Sequence, residues 1–214
     1  MTDKLTFYTN PMSRGRIIRW MLEEVGQPYE TVILGYGTSM KGPEYLSINP
    51  MGKVPAIKHG NAVVTEGAAI CAYLADVFPQ ANLAPATNEE RARYYRWMFF
   101  AAGPIEAAAN AKAMGWTATE DKERMLGFGS MKHVLDALEY ALKDTQYIAG
   151  DRFSAADVYF GSHIMWGTQF GTLEKRAAFD PYMARLVNRP AAARAREIDD
   201  AIIAEQQKQQ QQQA

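Results

Sequence analysis

Residues 49–55, which read Asn-Pro-Met-Gly-Lys-Val-Pro, carry the pattern that says most about chemistry in this chain. Pro55 follows the β-branched Val54 and opens a short apolar run. Because proline has no N–H to donate to a sheet, we expect it at the first residue of a strand, at a sheet edge or in a bulge, and it can also be cis. In each case the N–H and C=O of Val54 stay free at a strand end, where an extended peptide-like ligand can pair with them.

A second pattern lies shortly downstream, where Glu66 and Gly67 begin an apolar helical run. The first N–H groups of a helix have no partner within the helix and carry partial positive charge, so this position suits an anion. Strand-like pairing at Val54 and carboxylate capture at Gly67 together suit a small peptide that carries a free carboxylate.

The first half of the chain predicts a small mixed sheet with helices packed on it. Short apolar and β-branched runs predict strands, and apolar residues at helical spacing predict helices. The expected strands are 4–8, 29–34, 54–58 and 62–65, and the expected helical segments are 14–25, 43–47 and 67–78. The order β-α-β-(α)-β-β-α is typical of an α/β domain.

The second half of the chain predicts helices only. The expected helices are 88–114 with a kink at Gly103-Pro104, 122–143, 154–167 and 181–205. Ser154 followed by Asp157 forms a capping-box pattern at the head of one of them. The glutamine-rich residues 206–214 are expected to be frayed or disordered. With 79–87 as the linker, the predicted domains are 1–80 and 88–205, followed by the tail 206–214.

Composition narrows the possible functions and the location. The chain has 214 residues and a net charge of −1, which provides no basic surface for nucleic acid or an anionic membrane. Its single cysteine, Cys71, excludes an internal disulfide, and its three histidines lack the spacing of a metal site. No apolar run has the length of a signal peptide or a membrane span, so we expect a cytoplasmic protein.

Three motifs together make the chain similar to the soluble glutathione transferases, in particular to their bacterial, serine-type, theta-like members. They are residues 49–55, 66–70 and 150–157. The resemblance implies an N-terminal thioredoxin-like α/β domain with a mixed four-stranded sheet, an all-α C-terminal domain and a homodimer. It also implies glutathione as co-substrate, no metal, and activation of the glutathione thiol for attack on an apolar electrophile.

The resemblance assigns the glutathione-binding roles residue by residue. Val54, before an expected cis-Pro55, pairs its backbone with the cysteinyl part of glutathione. Glu66 and Gly67 hold the γ-glutamyl end. Most members of the family carry Ser or Thr where this chain has Gly67, so one hydroxyl donor is missing here, worth about 1 kcal/mol of net hydrogen bonding.

Two lysines match the basic residues that hold the glycyl carboxylate in serine-type members. Lys53 lies inside the motif of residues 49–55. Lys41 lies in a variable loop, where a solvated lysine is the alternative interpretation.

The residue that activates the thiol decides the mechanism, because a hydroxyl that donates to sulfur favours the reactive thiolate. Ser13 lies where the first strand gives way to the first helix, which is the required position, although it can instead cap that helix. Tyr8 is the rival, since other classes use a tyrosine on the first strand. Arg14 and Arg16 either contribute to the glutathione site or form structural ion pairs. Cys71 is interpreted as core packing.

The resemblance also implies an apolar pocket for the second substrate. The residues predicted to line it are Met12, Trp97, Ala101 and Trp166. Glu106 is expected near the dimer face, within reach of the partner's glutathione. Two alternatives stay open: a glutathione-dependent isomerase or dehalogenase, and a non-catalytic ligand-binding or interaction protein. The sequence does not identify the electrophile.

Overall fold

The computed structural model describes residues 3–213, and their contacts divide the chain into two compact units. One unit holds the chain up to Asn82 together with the stretch from Arg189 onward. The other unit is Leu83–Asn188. The predicted division placed residues through 205 in the helical domain, whereas the contacts join the last helix to the first unit.

The first unit is built on a four-stranded mixed sheet, as predicted. Its strands are β1 (Leu5–Thr9), β2 (Glu30–Ile33), β3 (Ala56–His59) and β4 (Ala62–Thr65), in the order β2-β1-β3-β4. Its helices are α1 (Gly15–Val25), α2 (Pro43–Leu46), α3 (Gly67–Val77) and the last helix of the chain, described below. The β1–β2 pair is parallel and the other two pairs are antiparallel. Strand β3 starts two residues later than predicted, because Val54 and Pro55 form a bend ahead of it.

The second unit is all-helical over the residues that the structure describes. Its helices are α4 (Asn88–Phe100), α5 (Glu106–Ala113), α6 (Glu120–Glu123), α7 (Met131–Leu142), α8 (Ala155–Gln169) and α9 (Phe179–Val187). A π-helical turn at Ala101–Ile105, which contains Pro104, joins α4 to α5 where a kink was predicted. A proline removes one helical hydrogen bond, which is why the register changes there.

The predicted continuous helix 122–143 is wrong. The chain instead forms the short α6, leaves the helix after Glu123, and starts α7 at Met131. Gly129 between them adopts a left-handed φ of 64°, which a helix interior cannot accommodate. Ser130 then caps α7 by accepting the N–H of His133 at 3.4 Å.

The capping box predicted at the head of α8 is confirmed. The Ser154 N–H donates to Asp157 Oδ2 at 2.9 Å, while the Ile148 N–H and the Tyr182 hydroxyl donate to Asp157 Oδ1 at 2.7 and 2.9 Å. Asp157 is fully buried, and this burial raises the pKa of its carboxyl to about 6 although its hydrogen bonds act in the opposite direction. This carboxylate therefore organises the loop and two helices of the second unit.

The glutamine-rich tail was predicted to be frayed or disordered, and this is wrong. Helix α10 runs through Pro190–Gln213, so residues 206–213 are helical, while Ala214 lies outside the described residues. Glutamine has a good helix propensity, and extending a helix that is already formed is far easier than nucleating one.

Helix α10 is fixed to α1 by buried and partly buried ion pairs. Asp199 accepts from Arg19 Nε at 3.2 Å, and each of these side chains is 2% exposed. Arg189 makes a two-point contact with Glu24, with N–O distances of 2.6 and 2.8 Å. These pairs explain why the last helix belongs to the first unit rather than to the helical one.

Candidate functional site

The register of the sheet brings the sequence motifs to one end of it. Tyr8 near the end of β1 pairs with Ala56 at the start of β3, and Ala56 pairs with Thr65 at the end of β4. Because these neighbouring strands are antiparallel, the loop after β1, the Val54-Pro55 bend before β3 and the Glu66-Gly67 junction after β4 all leave the sheet at the same end.

The backbone of Val54 is open at this end. The Val54–Pro55 peptide bond is cis, and neither the N–H nor the C=O of Val54 has a hydrogen-bond partner among residues 3–213. The residue before it is held firmly, since the Lys53 C=O accepts from Tyr45 Oη at 2.5 Å and from Asn49 Nδ2 at 2.8 Å. The bend is therefore anchored on one side and presents a free strand-like edge on the other.

The start of α3 is also open. Glu66 precedes the helix with φ 66° and ψ 119°, a conformation that is unusual for a residue with a side chain and has a cost of about 1–3 kcal/mol. Among the side chains that the structure describes, none caps α3, and the first turn of this helix contains no acidic residue. The N–H groups of Gly67 and Ala68 therefore remain available to an anion at the positive end of the helix.

The two predicted basic residues differ in their surroundings. Lys41 donates from Nζ to the carbonyls of Met51 and Gly52 at 3.1 and 2.8 Å, so it braces the loop that leads to Val54. The Lys53 side chain is exposed, and its ammonium pairs with no other group in the described part of the chain. Lys53 is therefore the lysine whose charge is fully available to a ligand.

Ser13 forms hydrogen bonds within its own loop. Its Oγ donates to the Asn10 carbonyl at 2.6 Å and accepts the Gly15 N–H at 2.9 Å. The N-cap position of α1 is Arg14, which has no side-chain cap, while the Ser13 hydroxyl accepts the N–H of Gly15, the first residue of the helix. A serine hydroxyl has one proton, so donation to a thiol requires the hydroxyl to rotate away from Asn10. The Asn10 carbonyl would keep the Ser13 N–H at 3.0 Å after that rotation.

Asn10 is a site residue that the sequence interpretation missed. It is largely buried, and its Nδ2 donates to the Leu34 carbonyl at 2.8 Å while its Oδ1 accepts the Met12 N–H at 2.9 Å. Asn10 thus ties the loop after β1 to the end of β2. The signal available in the sequence was an Asn directly before Pro11, a pair typical of turn initiation.

Gly15 lets α1 begin very close to β1. A Cβ atom at this position would collide with the hydroxyl of the buried Thr9 and would come within 3.0 Å of Ser13 Oγ. Glycine is therefore required here for the close approach that places the Ser13 loop at the end of the sheet.

The comparisons with known proteins identify the family to which this geometry belongs. Residues 12–77 match the family model described as the glutathione S-transferase N-terminal domain, and residues 83–190 match the one described as its C-terminal domain. The chain belongs to the glutathione S-transferase family. A curated relative, glutathione S-transferase GstA of Escherichia coli O157:H7, is 32% identical over 170 residues, which cover 77% of this chain and 79% of that protein.

Solved glutathione S-transferases share the fold of this chain. The theta class glutathione S-transferase of Xanthomonas axonopodis pv. citri, solved with glutathione bound, has a TM-score of 0.72 and 27% identity, covering 90% of this chain and 97% of that one. The glutathione transferase of Methylococcus capsulatus has a TM-score of 0.74 and 27% identity, covering 92% of this chain and 99% of that one.

Within this glutathione S-transferase fold, Tyr8 lies on the face of β1 opposite to Phe7. Its ring packs 5.6 Å from that of Tyr45, and it adjoins a small apolar cluster that also includes Val54. No described residue forms a hydrogen bond with its hydroxyl. Tyr8 therefore remains the alternative candidate for the residue that activates the thiol.

The pocket residues predicted for the second substrate fall into two groups. Met12 is 73% exposed and Trp166 is half-buried, so both have surface to offer a ligand. Trp97 and Ala101 are 4% and 0% exposed in the core of the second unit, which corrects their assignment to a pocket wall. Trp97 packs against Phe160, with ring centroids 5.9 Å apart. The sequence could not fix which face of α4 turns inward.

Glu106 and Cys71, which the sequence also singled out, interact with or are buried among other groups of the fold. Glu106 accepts from Asn110 Nδ2 at 3.2 Å and lies 3.8 Å from His163 Nδ1 within its own chain. Cys71 is fully buried, and this burial raises the pKa of its thiol. Among residues 3–213, no three histidine, cysteine or acidic side chains lie close enough together to hold a metal ion. No helix in that range is both long and apolar enough to cross a membrane.

Proposed function

We propose that this chain is a serine-type glutathione transferase that adds the glutathione thiolate to an apolar electrophile. The observation that carries the proposal is the unpaired backbone of Val54 beside cis-Pro55, at the same sheet end as the open start of α3 and the Ser13 loop. Edge pairing and anion binding side by side match a tripeptide with a free carboxylate at its γ-glutamyl end.

Each part of glutathione has a group to receive it. The N–H and C=O of Val54 pair with the cysteinyl residue. The Gly67 N–H binds the γ-glutamyl carboxylate, and the Glu66 carboxylate pairs with the γ-glutamyl amino group. Lys53 binds the glycyl carboxylate, while Lys41 keeps the loop that carries Lys53 in place.

Thiol activation then depends on the Ser13 hydroxyl. When this hydroxyl rotates from the Asn10 carbonyl toward the sulfur, its hydrogen bond favours the thiolate and lowers the thiol pKa from its ordinary value of about 8.5. With chlorodinitrobenzene as the electrophile, the thiol proton passes to solvent, a C–S bond forms, the C–Cl bond breaks and chloride leaves. The exposed apolar side chain of Met12, in the same unit as Ser13, is the candidate for contact with the aromatic ring.

The assembly and the location are part of the same proposal. We expect a homodimer in the cytoplasm, in keeping with the family resemblance and with the single buried cysteine, which forms no disulfide in the described chain. Size-exclusion chromatography with light scattering would test the dimer, whose expected mass is about twice the 23.9 kDa of one chain.

The binding step is tested by calorimetry with two ligands. We expect glutathione to bind, and we expect cysteinylglycine, which lacks the γ-glutamyl residue, to bind at least about tenfold more weakly, because it cannot reach the start of α3. Absence of any binding heat at millimolar glutathione would contradict the proposal. Equal affinity for the two ligands would remove the assigned role of α3.

A second function, glutathione binding without transfer, is favoured by one observation. The Ser13 proton is already donated to the Asn10 carbonyl, which leaves the sulfur without a donor unless the hydroxyl rotates. Retention on a glutathione column combined with turnover of chlorodinitrobenzene supports the transferase, whereas retention without turnover of any electrophile tested supports the binding protein.

A further inference from the structure

The loop that carries Ser13 is held from outside by the last helix of the chain. Arg16, in the first turn of α1, donates from Nε to the Pro11 carbonyl at 2.7 Å. Its guanidinium also pairs through Nη2 with Oδ1 of Asp200 on α10. One planar group therefore connects the buried Pro11, two residues before Ser13, to a helix that lies at the opposite end of the sequence.

We infer that Arg16, oriented by Asp200, is a positioning residue that holds the Ser13 hydroxyl in the geometry for thiol activation. The inference rests on the proposed transferase function and deepens it. Arg16 was left open in the sequence as either a glutathione contact or a structural ion pair, and its two contacts favour a structural link that serves the site.

Other hydrogen bonds of the loop join its own residues, the segment that follows β2 and the start of α1. Asn10 holds the Met12 N–H and the Leu34 carbonyl, and its own carbonyl holds Ser13. The Nε–carbonyl contact of Arg16 adds a side-chain tie from α1 to Pro11, beside the bonds of the Gly15 N–H to Ser13 Oγ and of the Arg16 N–H to the Ser13 carbonyl. Without it, the buried Pro11 carbonyl loses the partner that the structure gives it, and the loop can shift relative to the helix.

Asp200 has a position that suits an orienting role. Its neighbour Asp199 is locked to the buried Arg19, so the register of α10 against α1 is fixed at this point. The side chain of Asp200 is 64% exposed and that of Arg16 is 26% exposed, so the pair itself adds little to stability. Its consequence is orientation, since it holds the guanidinium plane while Nε points at the Pro11 carbonyl.

The two residues of this contact differ in their relation to the matched family domains. The family models match residues 12–77 and 83–190, and Asp200 lies beyond both. Of the two residues, Arg16 therefore lies within a matched domain, and Asp200 is the one that the family models do not cover.

The test is steady-state kinetics with glutathione and chlorodinitrobenzene on R16Q, R16K and D200N. Glu197→Gln is the matched control, because Glu197 is an exposed carboxylate on the same helix and forms no ion pair in the described residues. We expect R16Q to lower kcat about tenfold with the KM for glutathione changed less than about twofold, because positioning acts on the reaction rather than on binding. R16K should be intermediate, since an ammonium replaces only one of the two contacts.

The pH profile supplies the readout that a structural role alone would not change. We expect the apparent pKa of kcat/KM to rise by about 0.5 or more in R16Q, because a misplaced hydroxyl stabilises the thiolate less. D200N should lower kcat and raise the apparent pKa, as R16Q does, but by smaller amounts. E197Q should match the wild type in both.

The outcomes separate this inference from the proposed function. An active wild type together with unchanged kcat and pH profile in both R16Q and D200N would overturn the inference alone. If R16Q does not fold, D200N decides, because it changes one exposed group only. A wild type that neither binds glutathione nor turns over overturns the proposed function, and the inference with it.

Discussion

At the residue scale, the proposed thiol activation depends on one hydroxyl proton, that of Ser13. Ser13 Oγ donates to the Asn10 carbonyl and accepts the Gly15 N–H, so the single proton of this hydroxyl is already used in a hydrogen bond. The Asn10 carbonyl also accepts the Ser13 N–H, so it keeps one hydrogen bond when the hydroxyl rotates away. The free-energy cost of that rotation is therefore small. The arrangement in the structure is therefore compatible with the proposed thiol activation, which requires the hydroxyl to rotate away from Asn10.

The first prediction concerns Ser13→Ala. We expect kcat/KM with chlorodinitrobenzene to fall about a hundredfold, which is typical for the loss of one donor to a developing anion. The apparent pKa of the bound thiol, followed by thiolate absorbance, should rise toward its ordinary value. Tyr8→Phe is the comparison, and a large loss in that variant with none in Ser13→Ala would transfer the role to Tyr8.

The second prediction concerns Gly67→Ser. Serine at the first position of α3 adds a hydroxyl that can donate to the γ-glutamyl carboxylate, for a gain of about 1 kcal/mol. We therefore expect the dissociation constant for glutathione to fall roughly fivefold in calorimetry. Gly67→Ala is the control for backbone stiffening, and equal affinities of the Ala and Ser variants would show that no such bond forms.

At the element scale, the sequence predicted strongly periodic segments and missed local interruptions. The alternating strands and the first helix were placed within one or two residues. The break at Gly129 was missed, because a single glycine in an amphipathic pattern does not by itself end a helix. Trp97 and Ala101 were misassigned because α4 carries aromatic residues on more than one face, and only packing decides which face is buried.

Some features of the site have no local signal at all. The left-handed φ of Glu66 is imposed by the β4–α3 junction, although glutamate has no preference for that conformation. The contact of Asn10 with Leu34 spans 24 residues of sequence, and the Arg16–Asp200 pair spans 184. Such contacts arise from the tertiary fold. The type of site was therefore predictable from the sequence, but the long-range contacts that support it were not.

The third prediction belongs to the capping box of α8. Asp157→Asn places an amide N–H₂ or a single carbonyl where four donors converge, the three described above and the Ser154 hydroxyl at 3.0 Å, so at least one buried donor is left without a partner. We expect the free energy of unfolding to fall by about 2–3 kcal/mol, measured by urea denaturation. Asp151→Asn, at an exposed position nearby, should change it by less than about 0.5 kcal/mol. Equal stabilities of the two variants would contradict this role.

At the scale of the whole molecule, the last helix completes the first unit. Arg19 lies between the rings of Phe7 and Tyr29, donates to Thr31 Oγ1 at 2.8 Å and pairs with Asp199. The charge is thus buried in the first unit and balanced from the far end of the chain. The predicted domain boundary at 205 overlooked this, because no local pattern indicates which core an amphipathic helix joins.

The fourth prediction tests that balance through Asp199→Asn. The substitution leaves the buried Arg19 without its opposite charge, and breaking such a pair has a cost of about 3 kcal/mol or more. We expect a lower midpoint in thermal unfolding and faster hydrogen exchange in α1. Glu197→Gln, an exposed change on the same helix, should leave both unchanged. Similar behaviour of the two variants would mean that the buried pair contributes nothing to stability.

The union of α1 with α10 has a consequence for synthesis. A ribosome releases α1 well before α10, with the entire helical unit made in between. While that unit emerges, the guanidinium of Arg19 has no carboxylate to neutralise it, and the Pro11 carbonyl depends on an arginine that nothing yet orients. The loop that carries Ser13 therefore gains the orienting contact from α10 only after the helical unit has been made, and a nascent chain stalled before residue 199 should lack it.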